Sequence, residues 1–416
     1  MIGAGAMVLY GARALLDFFG PSMPYSMTDG NDVALDSEEF IQFLSLVTDG
    51  TRRHSRISRL KNGVEFYPAQ LEAIRRAKNA INLEFYEFTQ GPVADEFLAA
   101  LSERAAAGVE VRVIVDALGS FGTPTAYFDG LCAAGGQMRW YHPLRWDTWQ
   151  QANNRTHRKL LIVDGETGFI GGAGIADHWL YETAVPVWRD TMFCVEGEAV
   201  AGLISSFCEN WLESSGEILS GSKQFAFRAT PGGAESFVVS STPKSGGTQA
   251  RILFQALINK ARDTIRITTP YFLPDRSARK ALMQAITERG VAVQILTAGP
   301  LIDHPTIRKM SHHSVRHLLK AGAEIYEYEP SMIHAKLMTV DGLWSVVGST
   351  NFDHRSFALN DEVNLAVLDR ALAATIEADF FDDLEQSHRL SLSEAEQRRL
   401  VANEESLVDR ILEREG

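Results

Sequence analysis

The chain has 416 residues, 45% of them hydrophobic, which is enough for one large core or two ordinary ones. A formal charge of -13 argues against a protein that lives on nucleic-acid backbone, where affinity comes from Lys and Arg neutralising phosphates. Cys132, Cys194 and Cys208 are odd in number and lack metal-ligand spacing, so neither a disulfide framework nor a zinc site is expected, and a reducing compartment suits them.

Residues 1–50 read as an apolar, amphipathic segment and linker. Arg13, Asp17 and several glycines interrupt it too often for a membrane span, and Arg13 falls inside the apolar stretch where a signal peptide has its charge ahead of it. Two readings stay open: an interfacial helix or anchor remnant, and packing of Val8, Leu9, Leu15, Leu16 and Phe19 on the protein itself. Next, Arg52, Arg53, Arg56, Arg59 and Lys61 form a basic run, either a solvated charged face or a contact for anionic lipid or substrate phosphate.

A first domain, 51–219, then alternates helix and strand. The pattern predicts a helix over Ala69–Ala80, a strand over Ile81–Phe88, a helix over Val93–Ala107 and a strand over Val109–Val115. A further helix ends near Gly135 and is followed by the strand Gln137–Pro143. A Pro- and Gly-rich stretch divides the chain, with the linker placed at 220–235 and Phe237–Ser240 opening the second sheet. In the second domain, 236–390, the same order returns: Arg251–Arg262, Thr264–Phe272, Ala278–Arg289, Val291–Leu296, a helix ending near Gly322, and Ala323–Pro330. Beyond Ala371 the chain reads as helical and charged, closing with a charged helix at 391–416. Such alternation implies an α/β fold of two similar lobes, each a sheet flanked by helices.

The most unusual pattern is polar. His157, Lys159 and Asp164 stand as H-x-K-x-x-x-x-D, and His334, Lys336 and Asp341 repeat it, each Asp preceding a Gly. Alternation along a strand sends His157 and Lys159 to one side and Arg158 to the other. The Asp-Gly pairs then open hairpins that return through Phe169, Ile170, Gly171 and Gly172, and through Val346, Val347, Gly348 and Ser349. If the halves pack about a pseudo-twofold axis, two imidazoles and two ammonium groups meet in one pocket. Such a pocket takes phosphate: one imidazole attacks phosphorus, the other gives a proton to the departing oxygen and afterwards activates water or an alcohol. Neither metal nor cofactor is called for, a protonated Lys being a poor metal ligand. Both aspartates belong to the motif and enter the catalytic set with it, although at the head of tight turns they suit a structural task better than proton transfer.

On these residues the sequence resembles the phospholipase D superfamily, and within it the bacterial cardiolipin synthases. Further matching stretches are Asn62–Pro68, Trp188–Thr191 with Val195–Gly197, Thr269–Asp275 and Gly348–Ser356, so the likeness runs from about Lys61 to Asp369. It implies that His157 is the nucleophile and His334 the acid, then base. It further implies that Lys159, Lys336, Ser349 and Asn351 bind phosphoryl oxygens and that Asp190 and Glu362 orient the histidines. One departure stands out: where the family has Gly-Gly-x-Asn, this chain has Gly171–Gly174, with Gly174 in place of Asn. One phosphate donor is thereby lost, worth about 1.5–3 kcal/mol for a charge-assisted bond.

The resemblance implies phosphatidyl transfer between two molecules of phosphatidylglycerol, giving cardiolipin and glycerol. It further implies an enzyme at the cytoplasmic side of the cell membrane, peripheral or anchored by its N-terminal segment. Phospholipid hydrolysis, a phosphodiesterase or nuclease, and a weakly active lipid-binding protein are the rival readings. Arg145, Trp146, Trp149 and Arg155 suit either an interfacial lip or a packed loop. His312, His313 and His317 read as surface or pocket-lining residues. The acceptor alcohol and the oligomeric state stay open.

Overall fold

The computed structural model describes residues 26–27, 33–143, 153–221, 225, 232–242 and 249–397. The N-terminal apolar residues, Arg145, Trp146, Trp149 and the chain beyond 397 lie outside them.

In the first half the strands are β1 (Arg53–Lys61), β2 (Ala80–Phe85), β3 (Glu110–Asp116), β4 (Gln137–Tyr141), β5 (Arg155–Thr156), β6 (Lys159–Val163), β7 (Thr167–Gly171) and β8 (Thr191–Gly197). The second half supplies β9 (Ala234–Ser241), β10 (Thr264–Thr268), β11 (Phe272–Leu273), β12 (Ala292–Ala298), β13 (Glu324–Tyr328), β14 (Leu337–Val340), β15 (Trp344–Gly348), β16 (Phe352–Asp353), β17 (Asn360–Leu368) and β18 (Ser387–Arg389).

From the centre outward the first half runs β1-β8-β7-β6-β2-β3-β4 and the second β9-β17-β15-β14-β10-β12-β13. The two orders are the same. β1 and β9 pair antiparallel through Arg53–Ser55, so the lobes share one continuous mixed sheet. β2, β3 and β4 are mutually parallel, as are β10, β12 and β13, and helices make the crossovers. β2 is buried at every position, as a strand covered on both faces must be.

Each lobe has its own core on one face of the sheet, around Phe66, Phe97 and Leu161 in the first and Leu257, Leu282 and Trp344 in the second. A third cluster joins the lobes, bringing Leu160, Phe207 and Trp211 together with Val363, Leu365 and Ile376. Its helices cross over: Val200–Ser215 of the first half packs on β9, and Arg370–Leu384 of the second packs on β1.

Several bounds differ from the pattern reading. The helix expected from Ala69 begins at Gly63 and runs through Pro68. The second half's first strand starts at Ala234, inside the stretch expected as linker, because its partners β1 and β17 extend it where local composition is rich in turn residues. The expected strand Thr264–Phe272 splits in two at Pro270, which has no N–H to continue a ladder. After the helix Arg370–Leu384 comes β18, three residues on the edge of β13, too short for any periodicity to show.

The basic run begins just before β1 and continues along it, and four of its five charges are matched by acids: Arg52 with Glu38 and Glu235, Arg56 with Glu196, Arg59 with Glu65 and Asp379, Lys61 with Asp379 and Asp382.

Both hairpins form as the Asp-Gly pairs demand. Asp164 and Gly165 have φ of 54° and 68°, and Asp341 and Gly342 have 54° and 59°, the left-handed values of a type I′ turn. Each carboxylate then accepts from three backbone amides of the loop entering the neighbouring strand: Lys78, Asn79 and Ala80 in one half, Arg262, Asp263 and Thr264 in the other. These contacts stand at the far end of the hairpin strands from His157 and His334. The two aspartates, counted with the catalytic set on the strength of the motif, are structural. Asp164→Ala or Asp341→Ala is expected to lower unfolding free energy by about 2 kcal/mol, from lost charge-assisted bonds and a left-handed residue without its polar side chain. Urea unfolding with an unchanged midpoint in both variants contradicts this assignment.

Candidate active site

His157 and His334 lie in extended segments immediately before β6 and β14, and each segment is captured by the other half. Arg155 and Thr156 pair in parallel with Asn360 and Asp361 of β17, and the His157 amide donates to Asp361 O at 2.9 Å. In the mirrored contact Arg189 bridges Ile333, and the His334 amide donates to Arg189 O at 2.7 Å. Each histidine therefore arrives beside a carboxylate from the opposite lobe. His157 Nδ1 is 3.0 and 3.1 Å from the two oxygens of Glu362, and His334 Nδ1 is 3.1 Å from Asp190 Oδ2. An Nδ1–H given to a carboxylate leaves Nε2 as the reactive nitrogen.

Both imidazoles line one cleft of about 210 Å³, together with Lys159, Asn351, Arg155, Arg355 and the rings of Tyr86, Trp179, Trp188 and Tyr271. Asp190 and Glu362 stand behind them, fully buried. Lys159 Nζ donates to His157 O at 2.6 Å and lies over the Tyr86 ring; Lys336 Nζ donates to His334 O at 2.5 Å and lies against the His334 ring, 2.9 Å from Nδ1 and 3.0 Å from Nε2. Asn351 lines the cleft too, where its amide N–H2 is the group able to donate to an anion; its buried amide oxygen has no partner among the described residues.

Burial and the neighbouring lysines depress both histidines, His334 to about 3 and His157 well below the usual range, which favours the neutral imidazole at both. Burial likewise lowers the lysines, Lys159 further through repulsion by Lys336, while the carboxylates hold Lys336 at about 8. The two carboxylates differ. Burial lifts Glu362 to about 7 against the pull of Lys159, whereas at Asp190 the His334 bond and the Lys336 charge outweigh burial and hold it below its ordinary value.

Of the residues singled out by sequence, His157, Lys159, His334, Lys336, Asp190, Glu362 and Asn351 come together. Ser349 does so differently: expected against phosphate, its hydroxyl donates to Glu362 and braces that carboxylate. Arg155, read as part of a lip, is buried and donates to His142 O at 2.9 Å. His312 is neither surface nor lining; it sits within the helix Pro305–Ala321, 2.5 Å from Glu327, which Arg308 also grips.

Sequence reasoning missed the roles of Tyr86, Glu87, Trp179 and Asp303. Glu84 of β2 pairs with Leu160 as Thr268 of β10 pairs with Leu337, so aligning the two halves on the repeated motif sets Tyr86–Glu87 against Pro270–Tyr271 and offers the signal for that pair. Trp179 had none; its indole donates to Asp190 at 3.0 Å from the short 3-10 helix Asp177–Trp179.

At Gly174, which lacks the expected Asn, a Cβ would lie 2.9 Å from Glu87 O and 3.0 Å from Glu87 Cβ. Because the first obstacle is backbone, an Asn cannot simply be put back. Gly174→Asn is expected to cost about 1–3 kcal/mol as an overpacked site, and a melting temperature equal to that of the parent protein would contradict it.

The family model described as "Cardiolipin synthase, PLD-like domain" matches residues 71–185 and 254–384. "Cardiolipin synthase 2" of Bacillus anthracis is 35% identical over 347 residues, covering 82% of this chain and 67% of that protein. "Cardiolipin synthase" of Listeria monocytogenes serotype 4b is 32% identical over 376 residues, 89% of this chain and 78% of that one. Among solved structures, phosphatidylserine synthase of Haemophilus influenzae Rd KW20 superposes with a TM-score of 0.67 at 15% identity, covering 91% of this chain and 97% of that chain, a likeness of fold. With the matched segments spanning both motif halves, the chain belongs to the cardiolipin synthase family of phospholipase D-like proteins.

Proposed function

We propose that the protein is a phosphatidyltransferase of the cardiolipin synthase type, converting two phosphatidylglycerol molecules to cardiolipin and glycerol through a phosphohistidine. The observation that carries this is the pair of imidazoles over one cleft, each with its Nδ1 held by a carboxylate of the other lobe. In the first step His157 Nε2 attacks phosphorus, the P–O bond to the glycerol headgroup breaks, and His334 gives that oxygen its proton. In the second, His334 takes the proton from a hydroxyl of another phosphatidylglycerol, the oxygen attacks phosphorus, and the P–N bond breaks. Lys159, Lys336 and Asn351 are assigned to the phosphoryl oxygens. An anionic diester between the lysines offsets the field that depresses the imidazoles, so one of them can hold the proton this scheme needs.

The unlike carboxylates support the order. Asp190, held below its ordinary value, stabilises an imidazolium on His334 better than Glu362, raised by burial, stabilises one on His157. The acid/base role therefore goes to His334 and the nucleophile to His157.

We assign the reaction to the membrane surface. Phe121, Tyr181, Val185 and Leu301 are exposed and sit on loops next to residues that line the cleft, which suits docking of its mouth on a bilayer. No helix of the described residues is long and apolar enough to cross a membrane.

Incubation with labelled phosphatidylglycerol followed by alkaline quench, which preserves phosphohistidine, tests the scheme. His157→Ala and His334→Ala should each lower cardiolipin formation at least 10³-fold, a scale typical for removing a nucleophile or its acid. Labelled adduct recovered from His157→Ala reverses the order of the two histidines.

A pH dependence follows from Lys336. It is cationic below about 8 and loses its charge above, so inhibition by tungstate, a dianion throughout the range, should weaken several-fold between pH 7 and 9. Lys336→Met should flatten that slope; a parent enzyme with a flat profile removes the assignment.

A further inference from the structure

The two walls of the cleft are not copies of each other. In the second half the Phe272–Phe352 pairing sets Tyr271 and Asn351 side by side on the wall. The matching contact in the first half joins Phe88 to Ile175, so Glu87 takes the place of Tyr271 and Gly174 that of Asn351. Space filled by an amide in one half is occupied in the other by the stem of Glu87, whose Cβ would be 3.0 Å from a Cβ on Gly174. Glu87 lines the cleft and is 24% exposed along its side chain.

Its neighbours say which end of a substrate it meets. Thr89 Oγ1 donates to Glu87 Oε1 at 3.2 Å, and His178 Nε2 is 3.8 Å from the same oxygen. The His178 ring lies 4.1 Å from both Trp179 and Trp188, and these indoles flank the His334 ring at 5.7 and 5.4 Å. Glu87 thus belongs to the His334 side, where the scheme above has the alcohol oxygen leave and attack. Across the cleft the Tyr271 hydroxyl donates to Asp303, at 2.6 Å to its nearer oxygen, so this wall too carries a carboxylate. A carboxylate close to phosphoryl oxygens repels them, but beside the alcohol it accepts a hydrogen bond from any further hydroxyl.

We propose that Glu87 is a specificity-determining residue that accepts a hydrogen bond from a second hydroxyl of the alcohol handled by His334, selecting polyhydric headgroups of the glycerol type over monohydric alcohols. This rests on the phosphatidyl-transfer reading. Burial raises Glu87 to about 7 against the Thr89 bond and the charge of Lys159, and a bound hydroxyl donor adds to the pull toward the ionised form.

The test is a competition within one reaction. Full-length protein acts on phosphatidylglycerol vesicles with equal concentrations of deuterated glycerol and 1-propanol, and mass spectrometry gives the ratio of deuterated phosphatidylglycerol to phosphatidylpropanol. That ratio is independent of how much protein is folded. The parent protein should favour glycerol roughly 10- to 100-fold, the range of a bond to a charged group. Glu87→Ala should bring the ratio close to one, and the isosteric Glu87→Gln should lower it several-fold. A ratio unchanged in both variants overturns the role of Glu87 while phosphatidyl transfer stands. A parent protein that yields only phosphatidic acid overturns the transfer reading, and this inference with it.

Discussion

Everything at the cleft depends on two short parallel backbone pairings that cross between the lobes. Arg155–Thr156 lies along Asn360–Asp361, and Arg189 bridges Ile333. Each pairing delivers a histidine from one lobe to a carboxylate of the other, one residue further along both chains. An imidazole at the end of a strand has a rotatable side chain and two usable nitrogens. Fixing Nδ1 on a buried carboxylate removes that freedom and aims Nε2 into the cleft. Neither lobe alone holds a complete site, so duplication of the fold and function of the site are bound together.

Burying two lysines, two histidines and two carboxylates is costly unless each charge meets its partner. The backbone around the site is accordingly pinned by a second tier of buried polar contacts. Asp116 accepts from the Thr156 amide at 3.1 Å, Thr156 Oγ1 donates to Glu84 at 2.5 Å, and Tyr141 donates to Asp361 at 2.5 Å. Arg158, facing away from the cleft, reaches Glu209 and Ser240 at 2.7 and 2.9 Å and ties the motif strand to the helix beneath it. These contacts sit on the residues flanking His157 and Glu362, where a small shift would separate the imidazole from its carboxylate.

Pseudo-symmetry builds the pair, and departures from it divide the labour. Asp190 is held low by His334 and Lys336, while Glu362, braced by Ser349, is lifted by burial. Tyr271 with Asn351 on one wall faces Glu87 with Gly174 on the other. In the proposed scheme it is these unequal surroundings that let one histidine attack and the other handle protons.

Sequence by itself determined whatever is local or repeated. The period of apolar residues marks the helices and strands, Asp-Gly before a returning run demands a type I′ hairpin, and the doubled His-x-Lys points to a phosphate site. Local signals also misled: the motif drew Asp164 and Asp341 into the catalytic set, though their carboxylates are spent on backbone amides. Phe237–Ser240 was legible as the opening of the second sheet, but Ala234 and Glu235 looked like the end of a linker, because the part of a strand that owes its extent to its partners carries little signal of its own. Tertiary structure alone decided which carboxylate serves which histidine. Asp190 lies nearer in sequence to His157 and Glu362 nearer to His334, yet each serves the other lobe's ring. Pairing between segments 205 and 144 residues apart is set by how two sheets meet at β1 and β9, and no periodicity along one chain encodes that encounter.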